Sequence, residues 1–161
     1  MGSNVRDRTS DSGRVTNTTN NVGATMIALA GFGMIGYAVA FIIRSFTHLI
    51  ELGFTVDDVG VTREEIWAFS PGLHNYISHL QVNLGAFIAA SGLAFALMAW
   101  FGIRRREPWA WWGAVLTTIL WVVVAFPIHY VYGLGTLAHL GFGYLAVALL
   151  ALGACLAHPW Q

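Results

Sequence analysis

The chain has 161 residues, of which 57% are hydrophobic and only 10% are charged, and its formal net charge is zero. Soluble domains carry about 25% charged residues, so this composition excludes an ordinary water-facing surface. All eight basic residues are arginines and eight acidic residues balance them, which argues against a nucleic-acid partner. The single cysteine, Cys155, excludes an internal disulfide and a multi-cysteine metal site.

The first segment of the chain, residues 1–22, is polar and rich in Asn, Thr, Ser and Asp. A segment of this composition cannot bury enough apolar surface to offset the entropy of ordering. The sequence therefore predicts a disordered tail on the cytoplasmic side of a membrane, ahead of the first apolar block.

Four apolar blocks follow, at residues 23–43, 80–103, 109–131 and 134–156. Each is long enough to cross a bilayer, which takes about 20 mainly apolar residues. Hydrocarbon offers no water to the backbone, so each segment must satisfy its own hydrogen bonds as a helix. The sequence predicts an all-α fold, an integral membrane four-helix bundle in contact with the lipid bilayer, formed by a single domain over residues 23–158.

The connection over residues 44–79 has internal structure of its own. Thr62 followed by Glu65 is a capping-box pattern, and the sequence REEIWAF behind it predicts a short helix lying at the membrane interface. Ser70 followed by Pro71 is typical of an N-cap and a first helical position. A helix that starts there is expected to run without a break into the second span.

The arginines are distributed unequally between the two sides of the predicted bundle. Six of them precede the first span or lie in the turn between the second and third spans, and two lie in the connection over residues 44–79. Arginines near span ends stay on the cytoplasmic side. The sequence thus predicts a multi-pass plasma-membrane protein with a cytoplasmic N-terminus, a cytoplasmic C-terminus and an external loop over residues 44–79.

Small residues recur at four-residue spacing on the first two spans, as in Gly36 with Ala40 and Gly85 with Ala89. Such spacing lets two helix backbones approach closely in lipid. These residues are predicted helix contacts.

Polar side chains cluster at the predicted external ends of the spans. Asn75, His79 and Asn83 are spaced i, i+4, i+8 and so share one helix face. His129 ends the third span and His139 enters the fourth. We expect an outward-opening polar pocket, for which the candidate ligand-binding residues are His79, Asn83, His129, His139, Asn75 and Glu65, the last folded over the opening.

Two interpretations of this cluster remain open. The side chains either bind a ligand or only hydrogen-bond across helices where the spans leave water. Neutral histidines are good ligands for zinc, copper, nickel or haem iron, and His79, His129 and His139 would be the ligands of any such metal. The sequence contains no HExxH, CxxC, glycine-rich phosphate loop or serine elbow, so it identifies no catalytic residue and requires no cofactor.

The central unit HLQVNLGAFIAASGLAFALMAWFGIRRREPWAWWGAVL combines a small-residue helix, an arginine turn and a third helix that begins with tryptophans. In this layout it resembles the small DoxX-like four-helix membrane proteins. The resemblance covers residues 23–156 in architecture and implies a role beside quinone-linked oxidoreductases. It implies no catalytic residue at any position of this chain.

These observations lead to three functional hypotheses. The first is a non-enzymatic accessory or binding component that meets a ligand or a membrane partner subunit through the polar cluster. The second is a small redox, haem-binding or metal-binding membrane subunit linked to quinones. The third is a transporter whose path forms only in a homo-oligomer.

Overall fold

The computed structural model describes the backbone of residues 3–160 and the side chains of residues 17–160. The described residues are helical and contain no β-strand, so the all-α prediction is confirmed. The six α-helices are α1 (Ser3–Thr47), α2 (Val56–Val59), α3 (Arg63–Phe69), α4 (Pro71–Leu97), α5 (Pro108–Val131) and α6 (Leu137–Leu156). One π turn, Met98–Gly102, and one 3-10 turn, Ile103–Arg105, extend α4 to the loop that precedes α5.

Four of these helical stretches are long and apolar enough to cross a membrane, as the four apolar blocks predicted. They cover Asn17–Thr47, Pro71–Arg105, Pro108–Val131 and Leu137–Leu156. The last begins three residues later than the apolar block, because Thr136 caps it by accepting a hydrogen bond from the His139 backbone N–H at 3.2 Å.

The N-terminal segment differs from the predicted disordered tail over residues 1–22. The backbone is helical from Ser3, and residues 1 and 2 lie outside the described part of the chain. Near the first span the helix is fixed by packing: Asn20 is only 3% exposed and its amide donates to the Ile103 carbonyl at 3.2 Å. A tertiary contact thus outweighs the weak helix propensity of the Asn- and Thr-rich sequence.

The connection between the first two spans contains the predicted short helix. Thr62 caps α3, where the Thr62 hydroxyl accepts from the Glu65 N–H and the Glu65 carboxylate accepts from the Thr62 N–H. Ser70 caps α4 through the Leu73 N–H, and Pro71 is its first residue. Both start signals are confirmed, as is the unbroken run of α4 into the second span.

Helix α1 lies between α4 and α6 and forms the close-packed part of the bundle. Gly31 faces Gly92 of α4, and a Cβ built on either glycine would stand 2.5 Å from the other's carbonyl oxygen. Gly23 faces Gly153 of α6 in the same reciprocal way, at 2.5 and 2.7 Å. These backbones touch only because both partners lack a side chain.

The small-residue prediction is confirmed at only one of its two glycines. Gly85 is buried against the Ile42 side chain, whereas Gly36 is exposed and a Cβ there would meet nothing within 4 Å. Glycine spacing alone does not identify the contact face in a chain with 18 glycines.

One end of the bundle lies where α4 is joined to α5, and we name it the arginine end because Arg104, Arg105 and Arg106 lie there. A Cβ on Gly102 would collide with the Ala110 side chain at 2.2 Å, so the π turn and the start of α5 are in close contact. Only Ala110 and Ala114 of α5 are buried. Toward the opposite end, where α5 finishes and α6 begins, α5 stands away from α4 and a cavity lies between them. We name that opposite end the histidine end.

Candidate functional site

A cavity of about 350 Å³ lies between α1, α4, α5 and α6 toward the histidine end. Ligand sites in proteins typically span about 300–1,000 Å³, so this cavity can hold a small molecule. Its walls are mainly aromatic and aliphatic, formed by Met34, Tyr37, Phe41, Leu84, Phe87, Ile88, Phe95, Trp121, Phe126, Leu140 and Phe142.

One end of the cavity is polar. His139 is only 8% exposed, and its Nε2 lies 3.6 Å from a carboxylate oxygen of Glu51. The rings of His129 and His139 approach with their centroids 5.1 Å apart. All three side chains line the cavity, so the structure brings together two of the predicted histidines and adds a carboxylate.

The hydrogen bonds assign a proton to one ring nitrogen of each histidine. The Nδ1 of His139 lies 2.8 Å from the Leu52 carbonyl oxygen, and the Nδ1 of His129 bonds to the Ala125 carbonyl. A carbonyl oxygen can only accept, so each Nδ1 carries the proton and donates it. In the neutral rings both Nε2 atoms are therefore acceptors, and the Glu51 carboxylate adds another acceptor.

A tight turn before α2 delivers Glu51 to the start of α6. Gly53 has a φ of +87°, which favours glycine, and a Cβ there would stand 2.5 Å from the Ala138 carbonyl oxygen. This close approach lets the Leu52 carbonyl reach His139, while the Phe54 ring stacks on His139 with a centroid distance of 4.0 Å. His139 is thus held between Phe54 and His129.

Aromatic pairs stiffen the cavity walls. Tyr37 of α1 stacks on Phe142 of α6 with centroids 4.9 Å apart, and Trp121 and Phe126 of α5 meet at 5.5 Å. Ring pairs at these distances contribute about 0.5–1.5 kcal/mol each beyond their burial. Ring contacts therefore brace the walls of the cavity that α1, α6 and α5 form.

The three α4 residues that were predicted for the pocket lie outside this cavity. Asn75, His79 and Asn83 are exposed and do not line it. His79 and Asn83 do share a face, since the Asn83 amide donates to the His79 carbonyl at 2.8 Å. That face points away from α1 and α6, because Leu84, Ile88 and other positions on the opposite side of α4 line the cavity.

Glu65 is also separate from the cavity. Its carboxylate accepts hydrogen bonds from the Thr62 backbone N–H at 2.7 Å and from the Thr62 hydroxyl at 2.8 Å. These two bonds, the backbone one first, hold the pKa of Glu65 below its usual range. The carboxylate caps α3 and does not fold over the histidines.

The three histidines predicted as metal ligands, His79, His129 and His139, do not all come together. Among residues 17–160, no three His, Cys, Asp or Glu side chains are placed to share a metal ion. His129 and His139 are together, but His79 lies on the outward face of α4.

Sequence reasoning missed Glu51 and Tyr37 as cavity residues. Glu51 lies in the acidic stretch ELGFTVDDVG, and nothing local to that stretch signals a partner on the fourth apolar block. The one available signal was position: Glu51 is the first acidic residue after the first span, close to the ends where the histidines gather.

Comparison with protein-family models, curated proteins and solved structures gives no match to this chain. The resemblance to DoxX-like proteins therefore has no support beyond the layout of the central unit.

Proposed function

We propose that this protein crosses a plasma membrane four times with both termini in the cytoplasm. Four apolar helical stretches of sufficient length support the crossing. The arginine distribution supports the orientation, because the arginine end carries three adjacent arginines while Arg44 and Arg63 alone lie at the histidine end. On this proposal the cavity is near the external face.

We infer that its function is to bind a small amphipathic molecule in the cavity between α1, α4, α5 and α6. The observation that carries this inference is the polar end of an otherwise aromatic cavity, where the side chains of His129, His139 and Glu51 meet. Buried polar groups need hydrogen-bond partners, and the side chains of His129, His139 and Glu51 line the cavity together. A ligand that donates hydrogen bonds would satisfy all three.

The residues that form the cavity walls restrict the class of ligand further. Tyr37, Phe142, Trp121 and Phe126 favour a flat or aromatic body, because rings pack well against rings. A hydroxylated aromatic molecule that is soluble in lipid has both a flat body and hydroxyl groups that donate hydrogen bonds. The reduced form of a quinone belongs to this class, which agrees with the quinone-linked role that the central unit implies.

The two other hypotheses have less support. A metal site made by His79, His129 and His139 together is not assembled among the described residues, because His79 is on another face of α4. The oligomeric transporter stays a prediction, as does a membrane partner subunit.

Titration of the purified full-length protein with a short-chain hydroquinone, followed by isothermal calorimetry, tests the proposal. We expect saturable binding that His129→Phe and Glu51→Gln each weaken at least tenfold. A hydrogen bond to a charged group contributes about 1.5–3 kcal/mol, and 1.4 kcal/mol is tenfold in affinity. The dimethyl ether of the same hydroquinone, which cannot donate, is expected to bind at least about tenfold more weakly by the same conversion.

The matched control is His79→Phe, which makes the same change on the outward face of α4. It is expected to leave affinity unchanged. Equal binding of the hydroquinone and its dimethyl ether, or equal losses in the His79 and His129 variants, would show that the cavity is not the site.

A further inference from the structure

A second pocket, of about 310 Å³, lies at the histidine end on the other side of the turn that carries Glu51. It is formed where the end of α1 meets the start of α3. Ten residues line it: Arg44, Thr47, His48, Ile50, Phe54, Thr55, Val56, Thr62, Arg63 and Glu64. The two arginines that lie outside the N-terminal segment and the arginine end thus converge on one pocket.

Arg44 has unused hydrogen-bonding capacity in this pocket. Its Nε donates to the Ile50 carbonyl at 3.1 Å, which anchors the side chain. Among the described residues Arg44 makes no ion pair, so its two terminal nitrogens remain available to a ligand. An anchored guanidinium has already lost much of its side-chain freedom, and binding therefore costs less entropy.

Arg63 is also incompletely partnered. Its Nε is buried and has no hydrogen-bond partner, although the side chain as a whole is 35% exposed. The nearest carboxylate oxygen, on Glu64, is 3.6 Å from Nη1, which is too long for a hydrogen bond. The Glu64 side chain is 77% exposed, so water screens this pair.

We propose that the second pocket binds a phosphate group between the guanidinium groups of Arg44 and Arg63. Arginine is suited to this role because its planar fork of N–H donors matches the oxygens of phosphate. The pocket is formed by the end of the first apolar stretch, Asn17–Thr47, and by the connection that follows it. On the proposed topology this is the level where phospholipid headgroups begin. The phosphate therefore belongs either to a lipid headgroup or to a free anion. This proposal is independent of the ligand in the cavity.

The experiment uses the delipidated full-length protein in an uncharged detergent. Three probes are titrated at constant ionic strength: inorganic phosphate, a short-chain phosphatidylglycerol, and the diacylglycerol of the same chain length. We expect at least one phosphate-bearing probe to bind saturably, and the diacylglycerol to bind at least tenfold more weakly than the phosphatidylglycerol. Saturation by inorganic phosphate identifies a free-anion site, and saturation by the phospholipid alone identifies a headgroup site.

Charge variants assign the binding to the pocket. R63Q is expected to weaken binding at least tenfold and to leave the fold intact, because Arg63 holds no other element in place. R44Q should weaken it as much, and E64Q should strengthen it by removing the opposing carboxylate. R105Q, an exposed arginine at the arginine end, is the matched control and should change nothing. The proposal is wrong if R63Q and wild type bind all phosphate probes equally, or if R105Q weakens binding as much as R63Q does.

Discussion

The bundle has a close-packed sector and an open sector. In the close-packed sector, α1 meets α4 and α6 through the reciprocal pairs Gly31–Gly92 and Gly23–Gly153. In the open sector, α5 stands away from α4 toward the histidine end, and rings such as Trp121 and Phe126 line a cavity of about 350 Å³.

The difference between the two sectors shows what sets the distance between helices when the hydrophobic effect does not drive them together. Lipid is as apolar as the side chains, so association of spans depends on close fit and on hydrogen bonds. Glycines bring backbones into contact along α1, and bulky rings with a few polar groups keep α5 apart from α4. One sector is built for stability, and the other leaves room for a ligand.

The largest expected effect comes from breaking the close-packed sector with Gly31→Val. A Cβ at Gly31 would lie 2.5 Å from the Gly92 carbonyl oxygen and 2.9 Å from the Ala96 nitrogen, and both are backbone atoms that cannot rotate away. Overpacking typically costs about 1–3 kcal/mol and sometimes more, and we expect at least about 3 kcal/mol here. Detergent-unfolding titrations followed by circular dichroism measure the loss.

Gly36→Val is the control for this variant, on the same helix with open space around it. It should change the unfolding free energy by less than about 0.5 kcal/mol, as surface substitutions usually do. Equal losses for the two variants would mean that the Gly31–Gly92 contact does not set the packing.

A smaller effect is expected from filling the open sector with Ser91→Leu. Ser91 of α4 lines the cavity, and the added carbons would occupy space that is otherwise empty. We expect the unfolding free energy to change by no more than about 1 kcal/mol, since cavity filling and imperfect fit oppose each other. Hydroquinone affinity should fall at least about tenfold, equal to about 1.4 kcal/mol, because the leucine takes the ligand's place.

Ala94→Leu, on an exposed position of the same helix, separates filling from a general effect of leucine. It should alter neither stability nor hydroquinone binding. Unfolding of the Ser91 variant, but not of the Ala94 variant, would show that the open sector is packed as tightly as the close-packed one.

The smallest effect concerns the segment that joins the sectors at the histidine end, where two carboxylates cap short helices. The Thr55 backbone N–H, and then its hydroxyl, lower the pKa of Asp58, as the same groups of Thr62 do for Glu65. A lowered folded-state pKa gives stability that is present above the unfolded value, about 4, and is lost as the pH falls through the folded value. Carboxyl-carbon NMR should therefore find both groups titrating below the usual range, with α2 and α3 fraying at acidic pH.

Thr55→Val and Thr62→Val test the cause of these shifts. Each removes a hydroxyl donor and keeps the backbone N–H, so the pKa of Asp58 or Glu65 should rise part of the way back. An ordinary midpoint in the unmodified protein would contradict the capping geometry.

Most of the fold was predictable because its signals are local. Apolar length predicted the spans, and Ser70 with Pro71 predicted the start of α4. Thr62 with Glu65 predicted α3. The N-terminal segment was not predictable, since the contact that fixes Asn20 is to the Ile103 carbonyl, far along the chain.

The site was predictable only in part, for a related reason. His129 and His139 flank one tight turn, so their meeting follows from topology. The face of α4 that lines the cavity does not follow from topology, because this helix is apolar around most of its surface and so lacks the polar-to-apolar contrast that orients a helix in a soluble protein. The i, i+4 spacing of His79 and Asn83 identified a shared face without showing that it points outward.

The position of α1 has a consequence for assembly during synthesis. Helix α1 is synthesised before α4 and α6, so Gly31 has no partner until Gly92 is made, and Gly23 has none until Gly153 is made. The nascent chain must therefore hold α1 without its full set of contacts until α6 has been synthesised. A chain shortened before α6 would leave one whole contact face of α1 uncovered, and quality-control proteases would meet it in that state.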